Sequence, residues 1–193
     1  MTGMLRICVC AGLVLGSVAA DEARVTYVLG QEDLTFQPDG DDTYDGEWDN
    51  NESYELAAYS NLGWVWGFGV LSQRADMATE DWSLEYESYV LRIYSGQAPV
   101  QTESFSWEIT GFTGIGMATG DLTQENPANL GGSDRDYMLE FGAQTTLGLT
   151  LSQSFVIGAG AGYMFSEVKL DLGGTRKIEQ QGLYYLGYAS FKF

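Results

Sequence analysis

The residues that could do chemistry in this chain are nearly all carboxylates. Asp and Glu number 27, against 9 Lys and Arg, and His is absent. One stretch has a recognisable spacing. Asp41-Asp42-Thr43-Tyr44-Asp45-Gly46-Glu47-Trp48-Asp49-Asn50-Asn51-Glu52 places oxygen donors at positions 1, 3, 5 and 9, Gly at 6 and Glu at 12. That is the pattern of a calcium loop, with Asp41, Thr43, Asp45, Asp49 and Glu52 as ligands. Ca2+ is the cation such hard oxygens would select. Thr43 is a weak third ligand, and Trp48 stands where an aliphatic residue is usual. The blander reading is a solvated acidic loop that attracts divalent ions diffusely, and it is the one expected. No other cofactor is implied.

The missing His removes Ser-His-Asp nucleophiles, the usual zinc sites and any imidazole base. Catalysis would need a Ser- or Asp-only mechanism, so the chain is not expected to be an enzyme. The glycine run Gly158–Gly162 alternates at period two, with no Lys after it, and is no phosphate loop. A net charge of -18 leaves no basic face to displace counterions from a phosphate backbone, so nucleic acid is not an expected partner.

The second group of charges lies within the apolar pattern. Glu55, Glu85, Glu87, Glu108 and Glu140 fall on faces otherwise made of Gly, Ser, Thr and Ala. Arg92 is the main cation inside such a segment. Strict alternation from Trp82 would turn it toward the apolar side, so a bulge near Ser88 is expected to turn it inward. Counting through a turn at 96–103 puts Arg92 nearly opposite Glu108. The two are expected to pair, within an ion-pair network that includes the other four carboxylates. Such a network fills an interior; a gate or ion path is the functional alternative.

These charges need elements to hold them, and the elements are strands. Apolar and aromatic residues recur at period two, as in Phe105, Trp107, Ile109 and in Tyr137, Leu139, Phe141. Eight segments are expected near 24–37, 52–60, 62–74, 82–95, 104–119, 135–149, 153–168 and 181–193. The connections alternate. Residues 38–51, 75–81, 120–134 and 169–180 are longer and acidic; Asn61, 96–103 and 150–152 are shorter. The three prolines, Pro38, Pro99 and Pro127, fall in connections. Ahead of the strands, residues 1–20 read as a cleaved signal peptide: Arg6, an apolar run of 14 residues from Ile7, then Ser17-Val18-Ala19-Ala20. Both cysteines, Cys8 and Cys10, lie there. Residues 21–193 form one domain.

Eight antiparallel strands with unlike ends describe a closed up-and-down transmembrane β-barrel, all-β, with long links outside and short turns on the periplasmic side. Backbone groups in a bilayer must be paired, which forces closure. Tyr27, Trp64, Trp66, Trp82, Tyr86, Tyr94, Trp107, Tyr137, Tyr163, Tyr185 and Phe193 lie near strand ends, as interfacial aromatics do. The C-terminus, Tyr185-Leu186-Gly187-Tyr188-Ala189-Ser190-Phe191-Lys192-Phe193, carries alternate aromatics and a terminal Phe.

In this the chain resembles the small eight-stranded outer-membrane barrels of the OmpA transmembrane-domain and OmpX type. The resemblance implies residence in the outer membrane of a Gram-negative envelope, with outer-membrane lipid and lipopolysaccharide as partners. It implies that Phe191 and Phe193 are read by the barrel assembly machinery. The usual Gly five places before the terminal Phe is displaced, since Tyr188 stands there and Gly187 is one place off. A monomer with a structural, surface-interaction or limited, porin-like permeation role is expected. The alternative is a soluble periplasmic lipocalin-like barrel holding a small apolar ligand, which would place the apolar face inside.

Overall fold

The computed structural model describes residues 21–31, 34–37, 44–46, 48–59, 62–78, 82–124, 132–173 and 175–193. Residues 1–20, where the signal peptide is expected, lie outside them, as do Asp41 and Thr43. The strands in chain order are β1 (Glu22–Gln31), β2 (Leu34–Gln37), β3 (Tyr44–Gly46), β4 (Trp48–Tyr59), β5 (Trp64–Ala78), β6 (Trp82–Gln101), β7 (Phe105–Gln124), β8 (Gly132–Ser152), β9 (Phe155–Asp171) and β10 (Thr175–Lys192). All pairing is antiparallel between neighbours, and β1 pairs with β10, so the sheet closes on itself.

The ten segments make eight barrel strands. The β1–β4 ladder runs to Tyr27↔Glu52 and the β2–β3 ladder resumes at Leu34↔Gly46, one residue out of step. β1–β2 and β3–β4 are therefore the two arms of one interrupted hairpin.

The register fixes the barrel's geometry. From Ser190 on β10, cross-strand partners run Arg24, Glu55, Gly69, Arg92, Gly114, Glu140 and Ser166, then return to β10 at Gln180, ten residues from the start. Eight strands with a shear of ten tilt by about 40° and enclose a radius of about 8 Å, narrow enough for side chains to fill.

The strands outrun the apolar pattern that predicts them. Strands extend into the expected links 75–81, 120–134 and 169–180, as far as Ala78 and Trp82, Gln124 and Gly132, and Asp171 and Thr175, while β6 and β7 are joined at 102–104 and β8 and β9 at 153–154. Ladder hydrogen bonds do not require an apolar face, so strands continue where their outward residues are Asp, Glu, Lys and Arg. Pro99 lies inside β6, at a bulge between Gln97 and Val100 where the ladder is already broken. Gly63 and Gly173 adopt φ of 78° and 79° in the tight connections.

Inside and outside exchange character along the barrel axis. Toward the short turns the exposed residues are apolar: Trp64, Trp66, Phe68, Leu91, Ile93, Trp107, Ile109, Phe141, Leu147, Leu149 and Phe191 among them. Toward the long links the exposed residues are charged, and the interior is one apolar cluster. It includes Phe36, Leu71, Leu84, Tyr86, Met138, Leu170, Leu172 and Ile178. Hence no bulge occurs near Ser88: the β5–β6 ladder runs without a break, and Trp82, Leu84, Tyr86, Ser88, Val90, Arg92 and Tyr94 all face inward. The strand keeps its faces and its surroundings change. Trp82, Tyr86 and Tyr94 are consequently core residues, not part of an outer aromatic ring.

Candidate functional site

The candidate site is the interior at the level of the apolar belt. It is built on the row that defines the shear. Arg92 on β6 has Gly69 on β5 to one side and Gly114 on β7 to the other, with Glu55 and Glu140 one strand further out. The two glycines leave the wall bare. A Cβ on Gly69 would stand 2.7 Å from Glu55 Cγ, and one on Gly114 would stand 3.3 Å from Glu140 Oε1. Both carboxylates thus lie over a glycine, toward Arg92. Arg92 Nε donates to Glu140 Oε1 at 2.8 Å, and its guanidinium lies over the Phe112 ring at 4.2 Å.

Glu55 has a different arrangement. Its Oε1 accepts from Ser53 Oγ at 2.8 Å, while its buried Oε2 has no hydrogen-bond partner; Glu140 Oε2 shares that condition. Closer to the short turns, Arg24 on β1 donates to Glu22 at 3.0 Å and to both oxygens of Glu108 at 3.1–3.2 Å. It also covers the Tyr188 ring at 4.3 Å. Thr146 Oγ1 donates to Glu108 as well. Above these ion pairs lies a layer of neutral groups. Ser88 Oγ donates to Gln73 Oε1 (3.0 Å), and Gln73 Nε2 and Ser166 Oγ donate to Gln180 Oε1 (3.4 and 3.1 Å). That amide layer separates the charges from the apolar core.

Four aromatic rings complete the filling. Tyr94 donates to the Leu56 carbonyl (3.0 Å) and Tyr184 to Gln144 Oε1 (2.8 Å). The rings lie on inward-facing glycines. A Cβ on Gly67 would meet Tyr94, one on Gly162 would meet Tyr184, and ones on Gly148 and Gly158 would meet Tyr188, all within 2.6 Å; Gly142 stands in the same relation to Phe112. The small-residue face is a set of sockets for rings.

Arg92, Glu108, Glu140 and Glu55 are therefore interior, as expected, but their pairing differs. Arg92 meets Glu140 and Glu108 meets Arg24. The turn is at 102–104, not 96–103, so the register puts Gly114 opposite Arg92, six residues beyond Glu108. Glu85 and Glu87 are not interior. They face outward and bridge to Arg74 at 3.8 and 3.4 Å. Glu22, Arg24 and the tyrosine plugs are absent from the sequence expectation. Glu22, Arg24 and Thr26 alternate with Ala23, Val25 and Tyr27, which marks an inward polar face, but so short a strand with so few apolar residues gives a weak signal.

The calcium pattern does not form a loop over its whole length. Gly46, where such a loop turns sharply, is extended and paired with Leu34. Asp45 lies in β3, and Asp49 and Glu52 in β4, with Glu52 opposite Tyr27. Among the described residues no three Asp or Glu side chains converge on a metal-sized site. At the short-turn end a cavity of about 700 Å³ opens between Glu22, Gln101, Gln153, Lys192 and Phe193. Phe191 and Phe193 stand there exposed, with ring centroids 5.8 Å apart.

No protein-family model and no curated protein matches the sequence. Solved structures do match. The attachment invasion locus protein Ail of Yersinia pestis superposes with a TM-score of 0.50 at 15% identity, over 90% of this chain and 99% of that one. Neisserial surface protein A superposes at 0.48 and 9% identity, over 89% and 95%. At such identities the likeness is one of fold. The chain has the closed eight-stranded antiparallel architecture of the small outer-membrane barrels, and the resemblance to the OmpA transmembrane-domain and OmpX type holds at that level.

Proposed function

We propose that this protein is an integral outer-membrane barrel whose task lies at its long-link end, on the cell surface, and not in permeation. The observation that carries the reading is the exchange of inside and outside along the axis. A band with exposed Trp64, Ile93, Ile109, Phe141 and Leu147 around a charged interior suits hydrocarbon. A continuation with an apolar core and outward Arg74, Asp76, Glu85, Asp121, Lys169 and Asp171 suits water. A lipocalin-like barrel would have the second arrangement throughout and a vacant apolar interior. Here the interior is packed with side chains at both levels, and at the belt the apolar ones are interleaved with the Arg24–Glu108 and Arg92–Glu140 ion pairs.

The filled cross-section argues against a conducting role. Arg24–Glu108, Arg92–Glu140 and the rings of Tyr94, Tyr184, Tyr188 and Phe112 occupy a radius of about 8 Å. The structured end that projects into water is the part free to meet a partner. Single cysteines test the topology, because residues 21–193 contain none. An impermeant maleimide on intact cells is expected to label cysteines placed at Thr79 or Asn126 and to spare those at Thr102 or Gln153. The reverse pattern would invert the orientation, and equal labelling only after lysis would remove the protein from the outer membrane.

A further inference from the structure

The short-turn mouth of the barrel is a place where the fold leaves open space lined by polar groups. The cavity of about 700 Å³ lies between the start of β1, the Leu62–Gly63 connection, the end of β6, the turn at Gln153 and the end of β10. That volume suits a small organic molecule, and barrel mouths are a common place for one. The cup is a dead end. Glu22, which lines it, accepts from Arg24 at 3.0 Å, and Arg24 in turn holds Glu108 and covers the Tyr188 ring. An occupant binds there without passing through.

Lys192 gives the cup its chemistry. It stands directly opposite Glu22 on the β1–β10 ladder, and it has the inward parity of the buried Ser190. Opposite charges in facing positions on neighbouring strands normally pair. Here Glu22 turns to Arg24 instead, and Lys192 forms no ion pair with any described residue. Beside this uncommitted ammonium lie two carboxamides, Gln101 and Gln153, whose side chains form no hydrogen bond to a described residue. Gln101 pairs with Ser106, two residues from the inward Glu108, so it faces the cup.

The class of ligand follows from these groups. A compact ammonium in a polar wall calls for an acid. Asp21 and Glu22 in the same wall repel a dianion, so one negative charge fits better than two. A carboxamide offers both N–H donors and a carbonyl acceptor, the complement of a peptide group. We propose that the mouth binds the C-terminal end of a peptide, its carboxylate at Lys192 and its last amides at Gln101 and Gln153. In the outer-membrane orientation proposed above this end faces the periplasm, but binding to the purified barrel does not depend on that orientation.

N-acetyl-trialanine, titrated into refolded 21–193 in detergent, tests this. Calorimetry is expected to show saturable binding at one peptide per chain. Capping the peptide carboxylate as an amide should weaken binding about tenfold, the worth of one charge-assisted contact in a partly wet site. Lys192→Gln should weaken the acid form about tenfold and leave the amide form unchanged, so that the two bind alike. Thiol protection gives a reading that leaves Lys192 in place. The acid form should slow maleimide labelling of Gln101→Cys, and not of Thr123→Cys at the opposite end of the barrel. The site would be overturned by any of four results: no saturable binding, equal affinity of the acid and amide forms for the unmodified barrel, an equal loss of both in Lys192→Gln, or no selective protection of Gln101→Cys.

Discussion

Arg92 and Glu140 stand two strands apart and meet only because Gly114 between them has no side chain. Each is buried, and each would be left charged in a low-dielectric interior if the other were removed. Arg92→Met is therefore expected to cost about 3–5 kcal/mol, and Arg92→Met with Glu140→Gln distinctly less. Arg92→Met with Glu108→Gln should be additive, since Glu108 belongs to Arg24. Unfolding of the barrel from vesicles in urea reads all three, and coupling to Glu108 instead would contradict the register. The glycine sockets have their own test. Gly162→Ala would put a methyl within 2.5 Å of the Tyr184 ring and 2.7 Å of the Ala143 carbonyl. Overpacking of this kind costs roughly 1–3 kcal/mol. Substitution at the outward-facing Gly111, where the nearest atom is 3.8 Å away, should be close to neutral.

At the scale of elements, β9 and β10 show how strands persist beyond the apolar belt. Lys169 faces Lys177 and Glu167 faces Glu179 across the ladder, and the four charges pair diagonally and along the strands. Lys177 holds the Glu167 carboxyl below its ordinary range, and Glu179, with Glu167, raises the Lys177 ammonium above its own. A lowered carboxyl contributes stability above its unfolded pKa and loses it as pH falls through the folded value. A raised ammonium contributes below its unfolded pKa and loses it as pH rises through the folded value. This patch should hold its full contribution from about pH 5 to pH 10 and weaken outside that range. Because the groups are about one-third exposed, Glu167→Gln should cost well under about 1 kcal/mol at pH 7 and nothing below pH 3. Thermal unfolding across pH checks both limits. The sequence showed these strands only as far as their apolar alternation lasted. Tyr137 to Leu149 was legible because lipid-type residues alternate with small ones. Lys169 and Lys177 read as links, because outward charges on a strand leave the same trace as charges in a loop. The pairing of Arg92 was illegible for a related reason. It depends on where one turn falls, and displacing the turn centre by three residues moves a cross-strand partner by six.

For the whole molecule, the question is which part of the exterior meets hydrocarbon. The strands are 15 to 21 residues long from β5 to β10, whereas a tilted strand needs roughly 9–11 to cross a bilayer core. In the proposed outer-membrane setting the excess projects, and the charged outward residues put it at the long-link end. On β8 the apolar run extends from Tyr137 to Leu151, with Ala143 and Thr145 at its middle; beyond Tyr137 come Asp136, Arg135 and Asp134. The trend continues around the barrel, where outward Glu87 succeeds Tyr89 on β6 and outward Asp121 succeeds Met117 on β7. A charge introduced on the outside reports this boundary as a depth-dependent penalty. Ala143→Arg should destabilise the barrel in lipid vesicles by about 2–4 kcal/mol, the cost of an Arg at the bilayer midplane. Leu151→Arg, close to the short-turn interface, should cost about 0–1 kcal/mol, and Thr123→Arg, on the projecting part of β7, nothing measurable. In detergent micelles, which can deform around a charge, the Ala143 penalty should shrink. Equal penalties at Ala143 and Thr123 would show that the belt and the projection share one solvent, and the exchange of inside and outside would then have lost its cause.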